Sequence, residues 1–153
     1  MSVNIIIGAD HGGFELKEKI CGWLQKEGHF VTDIGAKNFD PADDYPDFAA
    51  KVSEILLTMP DSKGIVICGS GVGASIAANK INGIRAAVCH DTYSASQGVE
   101  HDDMNILCIG ARVIGVELAM EIIKSFVRSS FSKEDRHVRR LKKILNLETG
   151  LRE

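Results

Sequence analysis

Hydrophobic positions along the chain switch repeatedly between two periods. Val3-Asn-Ile-Ile-Ile-Gly8 is a short apolar run closing on glycine, and the stretch from Gly13 to Glu27 then carries Leu16, Ile20 and Leu24 at helical spacing before Gly28. That pattern predicts strand, turn and helix. Phe30 to Ile34 predicts a second strand closed by Gly35, and an acidic, proline-containing loop from Phe39 to Asp47 leads to an amphipathic helix ending near Thr58. After a connector from Pro60 to Lys63, the β-branched run Ile65-Val-Ile67 suits a parallel strand covered on both faces. Small residues from Ser75 to Lys80 predict a helix, Asn82-Gly83 a turn, and Ile84 to Cys89 a fourth strand. A helix is expected from Thr92 and a fifth strand from Ile106 to Gly110. Gly115 opens a helix with Leu118, Ile122 and Phe126 on one face, and a last helix covers roughly Lys133 to Leu147 with Val138, Leu141 and Leu145 inward.

Regular alternation of strands and helices predicts an α/β fold, a three-layer α/β/α sandwich around a Rossmann-like, five-stranded parallel sheet with an extended C-terminal helix. A chain of 153 residues suits one domain spanning 1–153. In such sheets ligands bind outside the carboxyl ends of the strands. Those ends carry Asp10-His11, Cys68 with its glycines, His90-Asp91 and Gly110-Ala-Arg112.

Composition narrows the chemistry. A charged fraction of 25%, a hydrophobic fraction of 44% and a net charge of -3 give no basic balance that would invite nucleic acid or acidic membranes, which points to a small-molecule partner. The cysteines Cys21, Cys68, Cys89 and Cys108 form no Cys-x-x-Cys pair, which predicts free thiols in a reducing compartment and no metal site of zinc spacing. With no basic leader followed by a long apolar stretch, and no apolar run of membrane-spanning length, a cytoplasmic location is expected.

The stretch with the most chemistry is Cys68-Gly-Ser-Gly-Val-Gly-Ala74. Glycines at positions 69, 71 and 73 free backbone N–H groups to approach a ligand, and the following helix favours negative charge at its start. Cys68 is then either a buried thiol beside a tight turn or a general base whose anion is steadied by those donors. A phosphatase loop would need arginine where Ala74 stands, and a Walker A loop would need a lysine that is missing. A dinucleotide-binding turn remains open, since Gly69, Gly71 and Ala74 fit its spacing and Asp91 follows the next strand.

Asp10 and His11 precede two glycines at another strand end; Asp10 either caps the following helix or, with His11, contacts a substrate. Tyr45, beside Pro46, either reaches the same rim or packs on the surface. His101 falls in a polar stretch before the fifth strand, expected as loop, and is either solvated or suited to trade protons at neutral pH. Arg136 and Arg140, four apart around His137, form either a solvated basic face or a phosphate clamp.

Taken in order, Asp10-His11-Gly12, Asp44-Tyr45-Pro46, the run Cys68 to Gly73 with Ile76-Ala-Ala-Asn-Lys80, His101, Gly110-Ala-Arg112 and Arg136-His137 resemble the ribose-5-phosphate isomerase B family, which also contains allose-6-phosphate and galactose-6-phosphate isomerases. The resemblance covers nearly the whole chain. It implies aldose-ketose isomerisation of ribose 5-phosphate and ribulose 5-phosphate through an enediolate, without metal or organic cofactor, in homodimers whose sites lie between subunits; a tetramer stays open, as does a hexose 6-phosphate substrate. By that resemblance Cys68 is the base, with Ser70 beside it, and the N–H groups of Gly69, Gly71, Val72 and Gly73 steady the enediolate. His101 opens the sugar ring, Asp10, His11 and Tyr45 hold the sugar or its phosphate, and Arg112, Arg136, His137 and Arg140 belong to the phosphate end. Asp102 stands where asparagine is frequent and Ser70 where threonine is frequent, and a carboxylate at 102 would repel an oxyanion unless it turns away.

Overall fold

The computed structural model describes residues 1–151, in which strands and helices alternate as β1 (Asn4–Ala9), α1 (Phe14–Lys26), β2 (Phe30–Asp33), α2 (Tyr45–Thr58), β3 (Lys63–Cys68), α3 (Val72–Ala78), β4 (Ala86–Val88), α4 (Thr92–Asp102), β5 (Ile106–Gly110), α5 (Val116–Arg128) and α6 (Asp135–Glu148). The strands pair in the order β2-β1-β3-β5-β4, every pair parallel. The α/β architecture expected from the alternating periods is therefore the observed one.

Side chains of period two divide the interior. Ile5, Ile7, Ile65, Ile67, Leu107 and Ile109 face a core closed by Leu16, Ile20 and Leu24 of α1, Val99 of α4 and Ile122 and Phe126 of α5. Ile6, Val66 and Cys108 point the other way, against Val52 and Leu56 of α2 and Ala74 and Ala78 of α3. Each fully buried Ile or Leu contributes about 1.5–3 kcal/mol, so the central strands β3 and β5, covered on both faces, are the anchor of the sheet. Their register sets Cys68 opposite Gly110, which brings the glycine turn after β3 and the loop after β5 to one level.

Four element readings change. Helix α3 starts at Val72, not Ser75, so Gly73 lies inside its first turn. Helix α4 continues to Asp102, and His101 with Asp102 is helical where loop was expected, because the chain stays wound until Asp103 turns left-handed at φ 50. On α5, Ile122 and Phe126 are buried but Leu118 is exposed, because the inward face runs through Ala119, Ile122 and Ile123. On α6 the stripe expected to face inward is instead open, with Val138 47% and Leu145 38% exposed, and His137 is the helix's buried residue. Among the described residues no helix is long and apolar enough to cross a membrane.

Candidate active site

The carboxyl ends of β1, β3 and β5 converge on Cys68. Its side chain is 4% exposed, and the Gly71 N–H donates to its Sγ at 3.1 Å. That amide can face backwards because Gly71 adopts φ 81, a left-handed conformation that a side chain would disfavour. A Cβ there would also come within 3.1 Å of the Ile109 carbonyl carbon. The Ser70 hydroxyl accepts the Val72 N–H at 3.3 Å, so its recorded partner is the start of α3 and not the thiol.

The rim is stitched together by main chain. Ala111 N–H donates to the Cys68 carbonyl at 2.9 Å and Arg112 N–H to the Gly69 carbonyl at 3.1 Å, which folds the loop after β5 over the glycine turn. The Arg112 guanidinium consequently lies over Gly69, its Nη1 3.3 Å from where a Cβ would stand. From the other side, a Cβ on Gly73 would sit within 2.5–2.9 Å of the Tyr45 ring, so only glycine admits that ring against α3. Gly12 adjoins Gly69 N at 3.0 Å by the same measure. Asp10, Tyr45, Cys68, Gly69, Gly71, Gly73 and Arg112 are thus brought together.

Asp10 spends Oδ1 on the amides of Gly12 at 2.9 Å and Gly13 at 3.2 Å, an Asx turn that fixes the entry to α1. His11 donates from both its main-chain N (2.8 Å) and its ring Nδ1 (2.7 Å) to Oδ1 of Asp43. That hydrogen bond is the chief cause holding the His11 imidazole above its ordinary value, with the charges of Asp10 and Asp43 adding and burial opposing. Asp10, His11 and Asp43 place donor atoms within 4.8 Å of one another, but Asp43 Oδ1 is occupied by the two His11 N–H groups. Asp43 was invisible in the sequence, one carboxylate among several in an acidic loop.

His90 and Asp91, at the end of β4, are consumed by structure. His90 Nε2 accepts the Gly110 N–H at 3.0 Å, and Asp91 Oδ1 caps α4 by accepting the Ser94 N–H at 2.6 Å. The Ser94 backbone bond lowers the Asp91 carboxyl, as expected of a cap. An Asp91 committed to its own helix does not serve as the ribose-binding acid of a dinucleotide site.

A second group of candidate residues gathers elsewhere. His101 and His137 stack with ring centroids 4.0 Å apart and planes at 24°. Gln97 Nε2 lies 2.8 Å from His101 Nδ1, and since an amide nitrogen only donates, Nδ1 accepts and the His101 proton belongs on Nε2. His137 Nδ1 meets the Ser132 hydroxyl at 2.6 Å, while its Nε2 is buried without a partner. Burial, then the neighbouring His101 and Arg136 charges, holds His137 below the ordinary imidazole value. Arg136 is exposed and bonded through Nε to Glu134 at 2.9 Å, Arg140 is exposed on α6, and Asp102 lines a cavity of 540 Å³ with Arg85, Lys80 and Ile144. Helix α4 starts at the carboxyl rim and its 11 residues rise about 16 Å toward the amino ends of the strands, so His101 in its last turn stands far from Cys68 of the same chain.

The other thiols have a different character. Burial pushes Cys21 and Cys89 up to about 11 and Cys108 higher still, which keeps them as thiols. Cys68 alone of the four adjoins a turn with an N–H aimed at its sulfur.

A parallel sheet with a thiol, an acid and an imidazole on its carboxyl rim places the protein in the α/β class, with these groups where such sheets bind ligands. Residues 5–144 match the Ribose/Galactose Isomerase family model. The chain is 39% identical to a probable ribose-5-phosphate isomerase B of Mycoplasma pneumoniae, over 97% of each chain. It is 42% identical to a D-erythrulose-4-phosphate isomerase of Pectobacterium atrosepticum, over 84% of this chain and 85% of that one. The solved structure of Clostridium thermocellum ribose-5-phosphate isomerase B superposes with a TM-score of 0.92 at 45% identity, covering 98% of this chain and 100% of that one. The chain belongs to the ribose/galactose isomerase family, and it is an isomerase.

Proposed function

We propose that this isomerase interconverts ribose 5-phosphate and ribulose 5-phosphate through an enediolate, as a cytoplasmic homodimer whose sites each draw on both subunits. The Gly71 N–H directed at Cys68 Sγ, at the rim where the sheet presents its ligands, carries the reading. As a thiolate, Cys68 removes the proton on C2 of the open-chain aldose, and the C–H electron pair becomes the enediolate. Sulfur then returns the proton to C1, while the hydroxyl proton passes from O2 to O1 and the carbonyl forms at C2. Amides of Gly69 to Gly73 steady the intermediate charge.

Ring opening breaks the bond from C1 to the ring oxygen and moves the C1 hydroxyl proton onto that oxygen, and the imidazole of His101, held by Gln97 at Nδ1, fits the task of taking up the one proton and acting as donor to the other oxygen. The height of α4 puts this donor out of reach of Cys68 in the same chain. A second copy supplies it in our reading, together with Arg136, His137 and Arg140 for the phosphate end, while Arg112, Asp10, His11 and Tyr45 serve from the first. Apolar side chains left exposed on three helices support such pairing: Val72 and Ile76 of α3, Tyr93 of α4, and Val138 and Leu145 of α6.

Replacing Cys68 with alanine tests the core claim. Isomerisation, followed by deuterium uptake from solvent at the carbon next to the carbonyl, is expected to fall by roughly 10²–10⁴-fold, with phosphate binding retained. Near-normal turnover would remove Cys68 from the mechanism. The likeness to an erythrulose-phosphate isomerase supports a second reading, in which the chain prefers another sugar phosphate. Side-by-side kcat/KM values for ribose 5-phosphate, erythrulose 4-phosphate, allose 6-phosphate and galactose 6-phosphate separate the two.

A further inference from the structure

His11 lines a cavity of 310 Å³ beside the rim, shared with Gly12, Glu15, Lys19, Phe39 and Ala111, the neighbour of Arg112. We propose that Asp43 is a positioning residue for anion recognition: its carboxylate grips the His11 ring at Nδ1 and leaves the opposite Nε2–H as a charged donor to an anion in that cavity. This rests on the sugar-phosphate reading above, in which His11 serves the substrate.

The geometry has one consistent protonation. A carboxylate only accepts, so the 2.7 Å contact with Oδ1 requires the proton on Nδ1. A neutral ring would then present a bare Nε2 lone pair to the cavity and repel an anion. The cation presents an N–H instead. Asp43 is well placed to favour that cation, because its Oδ2 is buried with no hydrogen-bond partner among the described residues and the adjoining imidazolium is the compensating group. A second bond from the His11 main-chain N to the same Oδ1, at 2.8 Å, prevents the ring and the carboxylate from drifting apart.

The charged groups around His11 are Asp43 on one side, Asp10 in its own turn, and Glu15 and Lys19 of α1 along the cavity wall. Phe39 meets the ring edge-on at 6.4 Å and restricts it further. The Asp43 and Asp10 carboxylates favour the cation, burial opposes it, and the net direction is upward, led by the Asp43 bond. Anion binding by His11 is therefore complete below the ordinary imidazole value and is lost only as pH rises through a higher one.

Asp43→Asn keeps the shape and an accepting oxygen but removes the charge. NMR titration of the His11 ring should show the variant's midpoint below that of the wild type. Sulfate, whose charge is constant from mildly acidic to mildly alkaline pH, serves as the competing anion. In the variant its inhibition should weaken by up to roughly tenfold per pH unit above the lowered His11 midpoint, with the wild-type curve displaced to higher pH. KM should follow the same displacement and kcat at saturation should not. His11→Gln should abolish the displacement, and adding Asp43→Asn to it should change nothing further. Coincident midpoints, sulfate curves that do not move, or an Asp43→Asn defect that persists beside His11→Gln would each overturn the proposal. Sulfate shifting the His11 ring resonances along the expected pH curves in a protein that isomerises no sugar phosphate would sustain Asp43 and defeat the substrate reading instead.

Discussion

The rim around Cys68 and the His101–His137 stack are assembled by different means. At the rim the main chain positions the groups: parallel register aligns Cys68 with Gly110, amides of Ala111 and Arg112 tie one loop to the other, and Gly71 turns its N–H onto sulfur. In the stack, side chains on two helices position each other, through Gln97, Ser132 and ring contact. The first arrangement inherits the rigidity of the buried strands. The second depends on α6 staying docked, and α6 leaves most of its apolar stripe uncovered. A rim assembled within one chain and a stack standing apart from it agree with the proposed division of the site between two subunits.

The largest effect that could break this comparison comes from mixing two dead variants. On the proposed pairing, the Cys68→Ala and His101→Asn proteins should each fail on cyclic ribose 5-phosphate. After unfolding and refolding together, hybrid dimers would contain one intact site and one doubly damaged site, so about a quarter of wild-type activity should return. No recovery would place Cys68 and His101 in a site built within one chain and overturn the sharing of sites between subunits. Separately, His101→Asn should depress ribose 5-phosphate turnover far more than that of the open-chain ribulose 5-phosphate, and equal losses would argue against ring opening.

Gly71→Ala sharpens the rim's side of the contrast. It forces a side chain into φ 81 with the Ile109 carbonyl carbon 3.1 Å from the new Cβ, a strain on the order of 1–3 kcal/mol. Relief would rotate the amide away from Cys68 Sγ, so kcat should fall at least about tenfold alongside a lower Tm, as expected when a donor to a reacting group is lost. A lower Tm with unchanged kcat would show that the N–H to sulfur contact is structural only.

How much of this was legible in sequence follows the same division. Unbroken apolar runs announced β3 and β5, because a strand buried on both faces needs no alternation. The glycines announced the Cys68 turn, because backbone conformation leaves a direct trace in residue type. Side-chain partnerships left none. Lys17, with 0% exposure and bonded at 2.7 Å to Asp33, reads as an ordinary polar position on α1, and Asp43 reads as loop acidity. His101 reads as loop because Glu100, His101 and Asp102 are polar on every side, while their helix is held by its other face through Ala95 and Val99. The stripe of α6 was assigned to the core because periodicity reports that a face wants covering, not which chain covers it.

The smallest expected effect concerns Arg136, and it tests whether α6 reaches any substrate. In one chain its guanidinium is exposed and, among the described residues, engaged with Glu134, an exposed pair that contributes roughly 0–1 kcal/mol. Losing it should therefore leave Tm within a degree or two of wild type, about what so small a contribution predicts. If the partner's rim receives this helix, however, the same guanidinium faces a dianionic phosphate, and Arg136→Ala should raise KM by roughly tenfold, about what removing one charge-assisted contact costs, with kcat little changed. Arg136→Lys should recover only part of that loss, since an ammonium keeps the charge but not the planar fork. An unchanged KM in Arg136→Ala would return α6 to the status of a solvated basic surface and leave phosphate recognition to the Arg112 and His11 side of the rim.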